Sequence, residues 1–435
     1  MADRLQQQSR AYVRNLLLGL LTVNLLVGAW VASVLMGSRT AHEATAGMVT
    51  RNMATALDQT LTGTIGGINL NLLAAVDFME ERLRSGRKLE VADVNTHLML
   101  AQARLHYVTS LRATDSEGSV LYGAEVAPQA QVSWADREFF ALLRADAEAG
   151  LSVTNPIYGK LTKRWILSFA RRYNYPDGRF AGVVAASIPV EYFNQQLASL
   201  DIGPNGVALL RDANLGLIAR HPAHSAPAGQ LGAKSFSPEL AAAIASGQDT
   251  VTYHARNTAD GIERINTYRR LTSAPFHLIT GVGEPDYMAS WYVEVRNSVA
   301  QLAVFMSMTA LAAWLLYQSH AREQRDQLRI ASVLRGASDG IHVLDTEGKL
   351  LLANESFYRM LGRQGHDNTG LCLQDWDDSP RPGQMQATMA EVLHTGKQTL
   401  VQTMQRRLDG SRLHVEVSLL PQEMDGQTVL FCSAR

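Results

Sequence analysis

The chain has 435 residues, more than one ordinary domain holds, so about two to four folding units are expected. Its 46% hydrophobic and 19% charged residues, with 33 glycines and 13 prolines, exclude a largely disordered or collagen-like chain. Forty basic against 41 acidic residues leave a formal net charge of -1, so no global field draws it to nucleic acid; two cysteines, Cys372 and Cys432, exclude a disulfide scaffold or a four-cysteine zinc site.

No charged residue occurs between Arg14 and Arg39, and residues 16–36 are dominated by Leu, Val, Ala and Gly. A second uncharged window runs from Asn297 to Ser319. Each is long enough to cross a hydrocarbon core of ~30 Å as a helix. The alternatives are a cleaved signal peptide for the first, whose apolar run is longer than such peptides use, and a buried core helix for the second. Arg4, Arg10 and Arg14 precede the first window and Arg322, Arg325 and Arg329 follow the second. Positive charge marks cytoplasmic ends, so both termini are expected inside and residues 37–296 outside. Both thiols then fall on the reducing side. The expected organisation is a tail over 1–15, spans over 16–36 and 297–317, an outer domain over 37–296, a signalling helix over 318–335 and a last domain over 330–435.

Beyond the first window, Leu57, Leu61, Ile65, Ile68, Leu72, Val76, Met79 and Leu83 recur in steps of three and four, one helix stripe over about seven turns. Such a helix either packs on the domain behind it or also carries motion along its axis. Strands follow. Val108 to Arg112 passes through Asp115-Ser116-Glu117-Gly118 into Val120-Leu121-Tyr122. Gly206 to Arg211 passes through Asn214-Leu215-Gly216 into Leu217-Ile218-Ala219, and Ile341 to Leu344 through Asp345-Thr346-Glu347-Gly348 into Lys349 to Leu352. A short apolar strand, an Asp/Asn-to-Gly turn and a second strand read as a hairpin. Further turn signals stand at Asp177-Gly178, Asp260-Gly261, Asp409-Gly410 and Asp425-Gly426. Three copies of one hairpin signature predict three α+β modules, two outside and one inside. After the second window, Tyr317, Ala321, Gln324, Leu328 and Ala331 follow coiled-coil spacing.

The run Trp134-Ala135-Asp136-Arg137-Glu138-Phe139-Phe140, Leu161-Thr162-Lys163-Arg164-Trp165, Ser168-Phe169-Ala170-Arg171-Arg172 and Asp177-Gly178-Arg179-Phe180-Ala181-Gly182-Val183-Val184 resembles the membrane-distal half of double Cache (dCache) sensor domains. These occur on bacterial membrane-bound diguanylate cyclases and related signalling proteins. Gly261-Ile262-Glu263-Arg264 and Tyr268-Arg269-Arg270 resemble the proximal half, and Asp286-Tyr287 with Trp291 its exit toward the second span. The resemblance implies a distal module over about 85–195 and a proximal one over about 196–290. Residues 330–435 resemble a PAS domain through Ala337-Ser338-Asp339-Gly340-Ile341, Ala353-Asn354-Glu355-Ser356-Phe357, and Asp409-Gly410 with Val415-Glu416-Val417-Ser418. The implied fold class is α+β: two transmembrane helices flanking an extracytoplasmic tandem PAS-like domain, followed by a cytoplasmic PAS domain.

In amino-acid-binding dCache domains an arginine two residues before an aromatic pair holds the ligand carboxylate. The resemblance places that role on Arg137, with Phe139 and Phe140 as the aromatic positions. A guanidinium offers a carboxylate a planar fork, and aromatic walls exclude water. Arg164, Trp165, Ser168 and Arg171 complete the expected ligand-binding set. In an extended strand Arg164, Ile166 and Ser168 share one face and Trp165, Leu167 and Phe169 the other. The bland alternative makes Asp136 and Arg171 or Arg172 structural ion pairs. Phe139-Phe140 replaces the Trp-Tyr of the amino-acid pattern, and no acidic partner for an ammonium follows at the expected spacing. The expected ligand is therefore a carboxylate or other small anion.

No cofactor is expected. Gly370-Leu371-Cys372-Leu373-Gln374 echoes the cysteine region of flavin photoreceptors without its flanking Asn and Arg, and an idle thiol is the plainer interpretation. His342 and His366 are the haem candidates, one in a predicted strand and one beside loop signals. Asp375-Trp376-Asp377-Asp378 offers carboxylates for a hard cation, against a solvated loop. No Gly-Gly-Asp-Glu-Phe or Glu-Ala-Leu signature, P-loop, histidine-kinase box or His-Glu-x-x-His is present. Three functions compete. The first is a sensor in the bacterial inner membrane that binds a periplasmic small molecule and signals as a homodimer or through a cytoplasmic partner. The second is the regulatory part of a diguanylate cyclase or histidine kinase whose catalytic domain lies beyond residue 435. The third is a membrane-tethered scaffold. Membrane lipid is an expected partner; nucleic acid is not.

Overall fold

A computed structural model of the protein describes residues 2–124, 126, 132–363, 370–381, 383–424 and 426–435. His366 and Asp425 lie outside these residues, as do the side chains of Arg4, Leu328 and Ala331. The chain divides into two compact units, residues 24–304 and residues 1–23 with 305–435.

The spine of the first unit is α1 (Ala2–Arg84), a helix of 83 residues. Leu17, Leu18, Leu25, Leu26 and Trp30 on it are all exposed, apolar surface with no protein core to cover it. Farther along, Leu57, Leu61, Ile65, Ile68, Leu72, Val76 and Met79 are buried, as the stripe predicts. They pack with α2 (Val91–Ala103) against an antiparallel sheet of β1 (Ser110–Thr114), β2 (Val120–Gly123), β3 (Ser152–Val153), β4 (Ile157–Tyr158), β5 (Trp165–Asn174) and β6 (Phe180–Pro189). The order is β2-β1-β6-β5-β3, with β4 also paired to β5. Both faces of the central strand β6 are buried. Val184, Ala186 and Ile188 join the α1 core, whereas Val183 and Ala185 meet Phe139, Phe140 and Leu143 of α3 (Glu138–Ala145) on the opposite face.

From β6 the chain enters α4 (Val190–Ala198) and a second sheet: β7 (Val207–Arg211), β8 (Leu217–His221), then α5 (Pro238–Ala245), β9 (Thr250–Arg256), β10 (Glu263–Arg270) and β11 (His277–Gly283). Its order, β8-β7-β11-β10-β9, repeats that of the first. The short α6 (Glu284–Tyr287) leads into α7 (Ala289–Gly336), whose Val304, Met308, Leu311, Trp314 and Leu315 are again exposed. Both α1 and α7 are long and apolar enough to cross a membrane.

The second unit repeats the plan. Strands β12 (Gly340–Leu344), β13 (Leu350–Ala353), β14 (Thr399–Arg406), β15 (Arg412–Met424) and β16 (Gln427–Ala434) pair in the order β13-β12-β16-β15-β14. Helices α8 (Glu355–Met360) and α9 (Gln384–Thr395) flank them. Asn354 caps α8 by accepting from the Phe357 N–H (2.9 Å). The Asp375-Trp376-Asp377-Asp378 segment corrects the solvated-loop expectation: Trp376 is 1% exposed and packs edge-on to Phe357 in the core.

One turn chemistry generates the repetition. Asp115 Oδ1 accepts from the N–H groups of Glu117 (3.0 Å) and Ser119 (2.8 Å). Asp212 Oδ1 does the same for Asn214 (2.8 Å) and Gly216 (2.9 Å), and Asp345 Oδ1 for Glu347 (2.9 Å) and Lys349 (2.8 Å). The fourth turn residue is left-handed each time, at Gly118 (φ 87°), Leu215 (φ 63°) and Gly348 (φ 87°). In the second copy the organising side chain is Asp212, ahead of the Asn214-Leu215-Gly216 that marks the turn in sequence.

Candidate ligand-binding site

Antiparallel partners share a face of a sheet, so Arg112 (opposite Ala185), Ser187 and Ser168 (opposite each other) all lie on the α3 side of the first sheet. The chain between α3 and β5 closes over them, leaving a cavity of about 20 Å³ bordered by these residues with Arg137, Phe139, Lys160 and Thr162. That is close to the space of a single water.

Arg137 is placed by the helix that follows it. It is the N-cap of α3, with extended backbone (φ -89°, ψ 134°), and its carbonyl accepts from the Phe140 (3.0 Å) and Ala141 (3.1 Å) N–H groups. Its Nη2 donates to the Tyr158 carbonyl (3.1 Å), leaving most of the guanidinium's donors available. Arg112 is 5% exposed and donates to the Ala124 carbonyl (3.5 Å). Lys160 holds Asp136 (2.7 Å to Oδ1, 2.8 Å to Oδ2) and donates to the Ser133 carbonyl (2.9 Å). That hydrogen bond is the main reason the Asp136 carboxyl stays below its usual range. Among the described residues three cations and no carboxylate border the cavity, and the buried Thr162 hydroxyl has no partner. Such a lining favours an anion bearing acceptor oxygens.

Of the seven expected ligand residues, the structure brings together Arg137, Phe139 and Ser168. Phe140 turns into the core and meets Phe180 edge-on (5.4 Å between centroids). Arg164 precedes β5 and is exposed; Trp165 is 46% exposed and packs on Tyr158. Arg171 lies on the α1 face, donating to Asn69 Oδ1 (2.7 Å). The alternative pairing of Asp136 with Arg171 or Arg172 does not form: Asp136 pairs with Lys160, and Arg172 binds the Leu143 (3.0 Å) and Asp146 (2.9 Å) carbonyls. Sequence reasoning missed Arg112 and Lys160. Strand parity was the signal for Arg112; Lys160 enters through a loop and had none.

The face opposite the cavity is wired to α1. Besides Arg171–Asn69, Glu80 accepts from the Asn174 N–H (2.8 Å). At the second sheet Asp58 pairs with Arg269 (2.7 Å), and Thr50 meets Thr267 (2.8 Å). The exit is tied as well. Asp260 receives both arms of Arg264 (2.8 and 2.9 Å) and one of Arg220 (2.9 Å). Arg264 also donates to the Asn205 carbonyl (2.6 Å), and Asn205 gives two hydrogen bonds to Asp286 of α6 (2.8 and 2.7 Å).

In the last module the core void is about 10 Å³, bordered by His342, Trp376, Thr403, Gln405 and Cys432. His342 stacks on Phe357 (4.1 Å), donates from Nδ1 to the Gly340 carbonyl (3.2 Å), and is pushed down to about 4 by burial. Burial pushes the Cys432 thiol up to about 12, and Cys372 is half-buried. Among the described residues no three His, Cys, Asp or Glu side chains cluster as a metal site.

Residues 334–434 match the PAS fold family. No curated protein sequence matches the chain. The crystal structure of the extracellular domain of the candidate histidine kinase rpHK1S-Z16 is similar to 57% of this chain over 98% of its own length, at 25% identity and TM-score 0.50. The sensory domain of the Campylobacter jejuni chemoreceptor Tlp3 matches 57% of this chain over 98% of its length, at 12% identity and TM-score 0.44. The ligand-binding domain of the Pseudomonas fluorescens chemoreceptor CtaA, in complex with L-isoleucine, matches 58% of this chain over 98% of its length, at 17% and 0.44. The chain is thus an α+β protein in which two helices able to cross a membrane flank a domain resembling extracellular sensor domains, and a PAS fold follows.

Proposed function

We propose that the chain is a two-span sensor of the double Cache type in the bacterial inner membrane, with both termini cytoplasmic. It takes a small periplasmic carboxylate or other anion in the distal module. The observation that carries this is the cavity on the α3 face: among the described residues Arg112, Arg137 and Lys160 surround a buried hydroxyl without a partner, and no carboxylate is on its border. Arg137 and Arg112 are the ligand's cationic contacts, Thr162, Ser168 and Ser187 its hydroxyl donors, and Phe139 an apolar wall. With room for about one water, the cavity is in its closed form, so the ligand selects an arrangement in which the loop between α3 and β5 stands off the sheet. That shift reaches α1 through β5 and Arg171–Asn69, and α7 through Asn205–Asp286. A homodimer reads the helix displacement and the PAS domain hands it, without a resident cofactor, to a cytoplasmic partner.

The test is thermal unfolding of the full chain in lipid nanodiscs against a panel of mono- and dicarboxylates. Binders raise the midpoint of the wild-type chain, and Arg137→Ala abolishes the shift while keeping the ligand-free midpoint. A midpoint that falls sharply in Arg137→Ala makes the arginine structural; a panel without any binder removes the anion-sensor reading. The likeness to the extracellular domain of a candidate histidine kinase favours a second reading, in which these residues regulate a kinase. Coding sequence continuing past codon 435 into a phosphorylation box and ATP lid decides for it.

A further inference from the structure

A second cleft in this unit is larger than the one above. Between α4, which joins the two modules, β8 and the loop after it lies an open cleft of about 390 Å³, within the size range of small-molecule sites. Its floor is apolar, with Val190 from the first turn of α4 and Leu217 and Ala219 from β8. Among the described residues its polar border carries donors and no carboxylate. Asn194 Oδ1 accepts the Arg220 N–H (3.1 Å), which orients the amide and leaves Nδ2 without an acceptor among the described residues. The Ala226 N–H donates to His224 Nδ1 (3.1 Å), so the neutral ring carries its proton on Nε2.

Arg220 is the charged group on this border. It is 7% exposed, spends Nε on the Pro222 carbonyl (3.1 Å) and Nη2 on Asp260 (2.9 Å), and its Nη1 has no acceptor among the described residues. Asp260 is shared with Arg264, so two buried guanidinium groups stand against one carboxylate. Burial works against the Arg220 charge, Asp260 supports it and Arg264 opposes it, and the balance is unfavourable. A second negative charge at the cleft would offset that excess.

We propose that this cleft is a second ligand site, for a small amphipathic carboxylate whose head meets Arg220, Asn194 and His224 and whose apolar body lies on Val190, Leu217 and Ala219. It differs from the distal site in module and in lining. Because α4 is the connector between the modules, a molecule seated there sets how the distal module is joined to the proximal one, a co-ligand acting on the same output.

The experiment uses the full chain in nanodiscs and 4-fluorobenzoate, followed by ¹⁹F line broadening, with empty nanodiscs as blank. An Arg137→Ala background removes the proposed distal contact. Saturable broadening is expected to persist in that background. It is expected to weaken at least tenfold in Ala223→Trp, an exposed residue whose indole fills the cleft, and in Asn194→Asp, which keeps the acceptor for the Arg220 N–H but places negative charge beside the head. Unchanged unfolding midpoints in both variants exclude misfolding as the cause. Broadening that disappears with Arg137→Ala alone, survives both cleft substitutions, or never saturates overturns the second site.

Discussion

Three aspartates each hold two backbone N–H groups of a hairpin turn, and their surroundings rank what each is worth. Asp212 is 5% exposed, so water cannot replace its oxygen once it is removed, whereas Asp115 and Asp345 are half-exposed. Asp212→Ala is expected to destabilise the unit of residues 24–304 by about 2–3 kcal/mol, and Asp115→Ala by about 1 kcal/mol or less. Denaturant midpoints of the full chain measure both. His342 makes the C-terminal unit acid-sensitive. Its folded value, about 4, lies below the ordinary 6.5, so the unfolded chain binds the proton first. The stabilisation is full above pH 6.5 and is lost as pH falls through 4, by about 3 kcal/mol in all. The unfolding transition of that unit should therefore drop between pH 7 and 4.5 in the wild type and flatten over this interval in His342→Leu. An equal drop in both would move the acid sensitivity elsewhere.

Strand parity sorts the distal residues at the element scale. Along β5, Ile166 and Ser168 face α3 and the cavity, while Leu167, Phe169 and Arg171 face α1. The alternation read from the sequence as far as Phe169, carried two residues further, sets Arg171 opposite Ser168, although both were expected in one ligand set; its partner Asn69 lies 102 residues away on another element. The aromatic pair separates for a similar reason. Phe139 and Phe140 are adjacent on a helix, so they point about 100° apart: both reach the α3 core, and only Phe139 also borders the cavity. Phe140→Ala should lower stability by about 3–5 kcal/mol, whereas Trp165→Ala, at an exposed position, should change it by less than about 1 kcal/mol. Chemical denaturation distinguishes the two.

Across the unit of residues 24–304, buried charge leads from the second sheet to the exit helix. Burial works to raise the Asp260 carboxyl, but hydrogen bonds from Arg264 and the Ile262 N–H, with both arginine charges, hold it below its ordinary range. Asp260→Ala leaves two buried arginines without their carboxylate and should destabilise the unit by about 3–5 kcal/mol. Asp286→Ala removes only the last link, to Asn205. It should leave the sheet intact while hydrogen exchange in α6 and the first turn of α7 rises at least tenfold. Unchanged exchange there would mean that the link does not hold the exit helix.

Sequence by itself determined the features written in local periodicity and turn chemistry. The two apolar windows lie in α1 and α7, the helix stripe is buried, and the three hairpins follow from alternation and Asp-to-Gly turns, while the PAS fold was legible only as a resemblance carried by short motifs. These depend on neighbours a few residues apart. Tertiary structure decided which side chains meet. Arg112 and Arg137 share a cavity because β1 lies beside β6; Asp136 pairs with a loop lysine, and Trp376 is buried although its neighbours are acidic. The cleft at Arg220 likewise exists only because α4 packs against β8, a contact between segments whose composition carries no mark of each other.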